Sequence, residues 1–152
     1  MNNFVKRTIS GIGFAAIMLA AFLTNKFIFG AVMLFALIVM MWEFLRMTCG
    51  KEYRYSQILS IVAGVTLFTL VYLYRGFNFP GRLVILAFVP VFILMINSLY
   101  VKDKSRFNKF ANLYTAIIYI AVPWSVLNFA AFSAEGDFNG MLLLCFFAII
   151  WG

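Results

Sequence analysis

The sequence of 152 residues contains no histidine and has only two cysteines and five acidic residues. The lack of histidine removes the commonest general base and the commonest transition-metal ligand from this stretch of chain. Cys49 and Cys145 form no CxxC or other metal-binding spacing, and their positions argue against a disulfide framework. The sequence also has no P-loop, no spacing typical of a nucleophile and base, and no metal-ligand cluster. Taken alone, these residues do not name a function.

Charged residues are scarce as well. They make up 11% of the chain, whereas 65% is hydrophobic and the mean hydropathy is +1.01. A soluble domain carries about 25% charged residues to cover its surface. The few charges here lie between long apolar runs, so the sequence predicts an integral membrane protein. The net charge of +7 does not indicate nucleic-acid binding, because the basic residues flank the apolar runs, where membrane topology places them.

The apolar runs predict an all-α fold, a polytopic transmembrane helical bundle with five complete spans and a truncated sixth. The spans are predicted near residues 9–23, 27–45, 58–74, 83–101, 110–132 and 141–152. The first run follows two basic residues, as in a signal peptide, but it lacks a small-x-small cleavage site, so we expect an uncleaved helix. Gly64 in the third run predicts close helix packing, and Pro90 and Pro123 predict kinks in the fourth and fifth.

The sixth run has twelve residues, which as a helix would cover about 18 Å of a hydrocarbon core about 30 Å thick. We therefore expect this chain to be the amino-terminal membrane portion of a longer protein. In that case most of the residues that carry its chemistry follow Gly152, and residues 1–152 by themselves are expected to be inactive.

The distribution of lysine and arginine predicts the orientation of the bundle. Nine of these residues lie at the amino terminus and in the second and fourth loops, and three lie on the opposite side. Because cytoplasmic loops carry the excess of basic residues, we predict a cytoplasmic amino terminus. The acidic turn 133–140 then lies outside, and the end of the sixth run approaches the cytoplasm.

Three charged residues are candidates for substrate contacts. Glu43 and Arg46 lie at the end of the second run and share a helix face, so they are expected to pair near the membrane surface. Glu43 could instead hold a metal or a substrate group. Arg7 could bind a lipid phosphate or act only as a topology determinant. The basic loop 102–109 allows the same two interpretations, with lipid or nucleotide phosphates as ligands.

Three short stretches resemble a known family. The sequence KRTISG at 6–11 is similar to the start of bacterial phosphatidate cytidylyltransferases, where a basic pair precedes the first helix. The sequence WEF at 42–44 is similar to the end of the second helix in that family. The WG at 151–152 resembles the point just before the family's metal-binding segment. The order and spacing of the six predicted helices fit the family too.

The resemblance implies that the complete protein joins CTP and phosphatidate to give CDP-diacylglycerol and pyrophosphate, with Mg²⁺ as cofactor. It implies a location in the bacterial cytoplasmic membrane, with the lipid bilayer and no nucleic acid as partner. The family's metal-binding aspartates would follow Gly152, so no catalytic residue and no metal ligand is expected in this chain. Arg7, Glu43 and Arg46 are expected at most to support substrate binding. Whether the protein forms a homodimer is left open.

Two other functions remain as alternatives. A transporter fragment is suggested by the prolines in two runs, since broken helices often line substrate paths. No charged residue lies deep in any run, which argues against a coupled transporter. A non-catalytic membrane scaffold is favoured only by the lack of site residues.

Overall fold

The computed structural model describes residues 2–100 and 106–151, and this part of the chain is almost entirely helical. Its α-helices are α1 (Asn3–Leu23), α2 (Lys26–Cys49), α3 (Arg54–Gly76), α4 (Phe88–Leu99), α5 (Phe107–Ala116), α6 (Val122–Ala131) and α7 (Gly140–Trp151). A 3-10 helix, Gly81–Ala87, leads into α4, and a π-helix, Ile117–Ala121, joins α5 to α6. The described residues contain no strand, and their β-type pairing is limited to an isolated bridge between Phe132 and Phe138.

Five helical stretches in the described residues are long and apolar enough to cross a membrane. They are Asn3–Leu23, Lys26–Cys49, Arg54–Gly76, Gly81–Leu99 and Phe107–Ala131. α7 adds a shorter apolar helix. The predicted all-α, polytopic bundle is therefore confirmed. The last residues of the predicted fourth and sixth spans, 101 and 152, lie outside the described residues.

Each proline within a span lies beside a change in helix type. Pro90 is the third residue of α4, and the carbonyl that it cannot bond, that of Leu86, belongs to the preceding 3-10 helix. Pro123 follows the π-helix, which contains the corresponding carbonyl of Tyr119. The hydrogen bond that each proline removes is thus accommodated by a local change of winding one turn earlier.

The core is centred on α2 and α3. α2 buries a side chain at every fourth position along one face, namely Met33, Leu37, Met41, Leu45 and Cys49. This spacing keeps the buried side chains on one side of a helix. α3 packs against α2, α4, α5 and α6, so it lies at the middle of the bundle, while α1 and α7 pack on each other at its edge.

Gly64 marks a close approach between helices. A Cβ atom at this position would lie 2.4 Å from Met41 Sδ and 3.1 Å from Ala121 Cβ. A larger residue would require the Met41 side chain to shift, so glycine favours the close approach of α3 to α2 and the π-helix. The predicted role of Gly64 in helix packing is confirmed.

The two ends of the bundle differ in composition, one being rich in basic residues and the other in aromatic rings. At the basic end, residues 46–57 meet the start of α5, where the ammonium of Lys109 pairs with the carboxylate of Glu52. At the aromatic end, rings from α2, α3 and the 132–138 turn pack together, and the Tyr72 hydroxyl donates a 2.7 Å hydrogen bond to the Lys26 carbonyl. The candidate site lies at the basic end.

Candidate functional site

The chain reverses direction between α2 and α3 within four residues, 50–53. Gly50 follows α2 with φ +64°, and its N–H donates a 3.1 Å hydrogen bond to the Arg46 carbonyl. Glycine suits this position because a positive φ carries no steric cost without a Cβ. Tyr53 also adopts a left-handed conformation, with φ +56°, immediately before α3 begins at Arg54. The two positive φ angles turn the chain sharply and bring the basic residues on either side of the turn together.

A buried glutamine holds this turn in place. The Gln57 side chain is only 5% exposed, and its amide nitrogen donates hydrogen bonds to the Gly50 carbonyl at 3.1 Å and to the Glu52 carbonyl at 2.7 Å. These bonds satisfy a buried amide and two turn carbonyls at the same time. The turn is therefore fixed against the first turn of α3, and Lys51, which lies between the two bonded carbonyls, is positioned with it.

An open cavity of about 410 Å³ lies against this turn. We call it the basic cavity; it is lined by Trp42, Arg46, Gly50, Lys51, Arg54 and Gln57. Three of these side chains are cationic and none is acidic. No ion pair involves any of these three cations within the described residues. A cavity lined by charge of one sign concentrates the electrostatic field and attracts ions of the opposite sign, so the basic cavity favours an anion.

The nearest acidic residue in sequence, Glu52, pairs away from the basic cavity. Its carboxylate pairs with Lys109 on α5. The hydrogen bond and the charge of Lys109 hold the pKa of Glu52 below its ordinary value, and the charge of Arg106 acts in the same direction. Glu52 therefore stays ionised at neutral pH, and its charge is matched by α5 instead of by the cations of the cavity.

The structure places the three predicted site residues differently. Arg46 lines the basic cavity, whereas Arg7 is exposed on α1 and does not line it. Glu43 is exposed one turn before Arg46 on α2, but the expected ion pair between the two is not formed in the described part of the chain. A spacing of three residues permits such a pair, but water competes strongly for exposed charges, and the resulting stabilisation is small.

The cavity includes residues that the sequence did not single out. Lys51 and Arg54 stood out in the sequence only as basic residues of the second loop, and Trp42 only as part of the WEF stretch. Three cations within nine residues, interrupted by a glycine, are the one sequence signal that could have indicated a turn with converging charges. The basic loop 102–109 is described only from residue 106 onward.

The described residues hold no group of three or more His, Cys, Asp or Glu side chains that could bind a metal ion. What this part of the chain does provide is a membrane-embedded bundle with a phosphate-compatible basic cavity at one end.

The sequence matches a known protein family. The model of the cytidylyltransferase family matches residues 5–152, and the chain belongs to that family. No curated protein and no solved structure gives a significant match. Membership makes the protein a CTP-using nucleotidyltransferase, and its apolar helices are those of a multi-pass membrane protein.

Proposed function

We propose that the protein is a phosphatidate cytidylyltransferase, which converts CTP and phosphatidate to CDP-diacylglycerol and pyrophosphate in phospholipid synthesis. The observation that carries this proposal is the family match over 5–152, in a chain whose described residues include five helices long and apolar enough to span a membrane. A cytidylyltransferase embedded in the bilayer is well placed to use an acceptor that is itself a membrane lipid. Phosphatidate is such an acceptor, because its phosphate can act as the nucleophile.

We further propose that the basic end faces the cytoplasm of a bacterium, where CTP is found. The lysines and arginines of the described residues divide unequally between the two ends of the helices. Those on the basic side are Lys6, Arg7, Arg46, Lys51, Arg54, Arg106 and Lys109. Those on the aromatic side are Lys26, Arg75 and Arg82. This asymmetry supports a cytoplasmic amino terminus by the positive-inside rule.

In the proposed reaction an oxygen of the phosphatidate phosphate attacks the α-phosphorus of CTP. The bond from that phosphorus to the bridging oxygen of the β-phosphate breaks, and pyrophosphate leaves with the electron pair. Two polyanions must meet, so cations near the membrane surface lower the electrostatic cost of their approach. We propose that Arg46 has this supporting role. For Arg7 and Glu43, which lie at the same side of the membrane, we propose only that they contact the substrates. Mg²⁺ is the proposed cofactor, and no ligand for it is assigned to the described residues.

The test is a cytidylyl-transfer assay on the complete gene product in phosphatidylcholine vesicles. With Mg²⁺, CTP labelled at the α-phosphorus and phosphatidate, we expect label to enter a lipid product with stoichiometric release of pyrophosphate. Diacylglycerol, which lacks the phosphate nucleophile, is the matched control acceptor and should give no labelled lipid. Transfer to a soluble acceptor but not to phosphatidate would retain the cytidylyltransferase assignment and refute the proposed substrate.

A further inference from the structure

The three cations of the basic cavity come from three different parts of the chain. Arg46 belongs to the last turn of α2, Lys51 to the connecting turn, and Arg54 to the first residue of α3. The positive-inside rule explains why basic residues lie on this side of the membrane. It does not explain why they surround one cavity that has no acidic side chain in its lining. Their convergence is a property of the fold.

The amino terminus of α3 adds to the positive potential of the cavity. α3 has 23 residues, no acidic residue in its first turn, and no side-chain hydrogen bond from its N-cap residue, Tyr53. The first N–H groups of such a helix carry a partial positive charge and can donate to an anion. Arg54 and Gln57, both in the first turn, line the cavity, so this helix end borders the same space as the three cations.

The surroundings of the cavity indicate an amphipathic ligand. Trp42, which lines the cavity, is 40% exposed, and the apolar residues that directly follow Arg46, Arg54 and Gln57 in the sequence, Met47, Tyr55 and Ile58, are 78%, 69% and 48% exposed. Tryptophan and tyrosine at the ends of spanning helices mark the level of the lipid headgroups. The cavity therefore opens where lipid phosphates lie, beside apolar surface that acyl chains can cover. A wholly polar ligand would leave that apolar surface uncovered.

We propose that the basic cavity binds the phosphate headgroup of an anionic lipid of the adjacent leaflet, and that phosphatidate is its preferred ligand. The naming of phosphatidate rests on the proposed function. Its phosphomonoester can carry a second negative charge, which matches three cations better than the single charge of a phosphodiester lipid. Arg46 and Arg54 supply planar guanidinium donors suited to phosphate, and Lys51 supplies a point charge.

The experiment measures ligand binding to the complete gene product in phosphatidylcholine nanodiscs, with each ligand added separately so that no turnover occurs. Phosphatidate, phosphatidylglycerol and soluble CTP are each titrated against the wild type and the variants Arg46→Gln and Arg54→Gln. A cation near the membrane surface contributes about 1 kcal/mol, so each substitution should weaken phosphatidate binding about fivefold. Arg46→Lys, which keeps the charge, should recover part of the loss.

Arg82→Gln is the matched control. Arg82 is exposed near the aromatic end, so its substitution removes the same charge and donors without touching the cavity. We expect phosphatidate binding to be unchanged in this variant. Helicity and thermal stability should match the wild type in all the variants, because the cavity cations form no ion pair within the described residues.

Saturable phosphatidate binding that weakens in the cavity variants and not in Arg82→Gln supports the proposal. Equal weakening in Arg82→Gln, or no weakening in any variant, overturns it in favour of diffuse surface charge. CTP binding that depends on Arg46 and Arg54, without cavity-dependent lipid binding, assigns the phosphate to the nucleotide and overturns the lipid assignment. Because binding is measured without turnover, a protein that binds phosphatidate here but forms no CDP-diacylglycerol refutes only the proposed function.

Discussion

Replacing Gly64 with alanine should weaken the contact between α2 and α3. The added Cβ would lie 2.4 Å from Met41 Sδ and 3.1 Å from Ala121 Cβ, and the first distance is well inside van der Waals contact. Met41 is fully buried, so its side chain has little room to move without displacing its neighbours. Overpacking of this kind costs about 1–3 kcal/mol. We expect Gly64→Ala to lower the free energy of unfolding by an amount in that range.

The measurement is equilibrium unfolding of the purified protein in mixed micelles, followed by circular dichroism. Gly13→Ala is the matched control, because a Cβ at that position on α1 would meet nothing within 4 Å beyond the neighbouring residues and backbone of its own helix. Alanine is also the better helix former by up to about 1 kcal/mol, so the control should be neutral or slightly stabilising. Equal effects of the two substitutions would refute the close approach at Gly64.

A double substitution locates the source of the strain. Met41→Ala by itself leaves a cavity and should cost about 2–5 kcal/mol. With Gly64→Ala present, the new methyl group occupies part of that space, so the double variant should be more stable than the sum of the single effects predicts. We expect a coupling of about 0.5–3 kcal/mol. Strict additivity would show that the two side chains do not meet.

Other substitutions test single polar contacts. Ser60 is fully buried and donates a 2.9 Å hydrogen bond to the Leu113 carbonyl, so Ser60→Ala should lower the free energy of unfolding by about 0.6 kcal/mol, measured in the same micelles. The Trp124 indole N–H donates a 2.8 Å hydrogen bond to a main-chain carbonyl of α2, and Trp124→Phe should cost about 1 kcal/mol; no change in stability would contradict this contact. The folded-state pKa of Glu52 lies below its ordinary value of 4.5, so its contribution to stability is present above that pH and is lost as the pH falls through the folded-state pKa. In ¹³C-carboxyl NMR, Lys109→Gln should raise the midpoint of the one glutamate signal that Glu52→Gln removes, and an unchanged midpoint would show that the pair does not form in solution.

The helices were predictable because a bilayer leaves a long apolar segment few alternatives. Each backbone polar group in the hydrocarbon must be bonded within the segment, so the predicted run 58–74 appears in the structure as the core of α3, Arg54–Gly76. The close approach at Gly64 followed from the same reasoning, since glycine within a span indicates a helix contact. Which helix it meets was not predictable, because Met41 and Ala121 come from distant parts of the chain.

The candidate site was predicted only in part. Arg46 was singled out for its spacing from Glu43, and the structure places it instead in a cavity with Lys51 and Arg54. The position of those two residues depends on the turn conformation, in which Tyr53 takes a positive φ that is uncommon for a tyrosine. Local sequence preferences do not indicate such a conformation, so the glycine among the three cations could suggest a turn but not that their side chains line one cavity.

The sequence by itself determined that this is a helical, multi-pass membrane protein, and its resemblance pointed to the cytidylyltransferase family. Both conclusions depend on properties summed along the chain, namely the hydropathy of each run and the order of short motifs, and neither requires knowledge of which residues touch. The tertiary structure alone decided the contact at Gly64, the pairing of Glu52 with α5, and the shared cavity of Arg46, Lys51 and Arg54. These depend on distances between residues from different helices and turns, and packing against the rest of the bundle sets those distances.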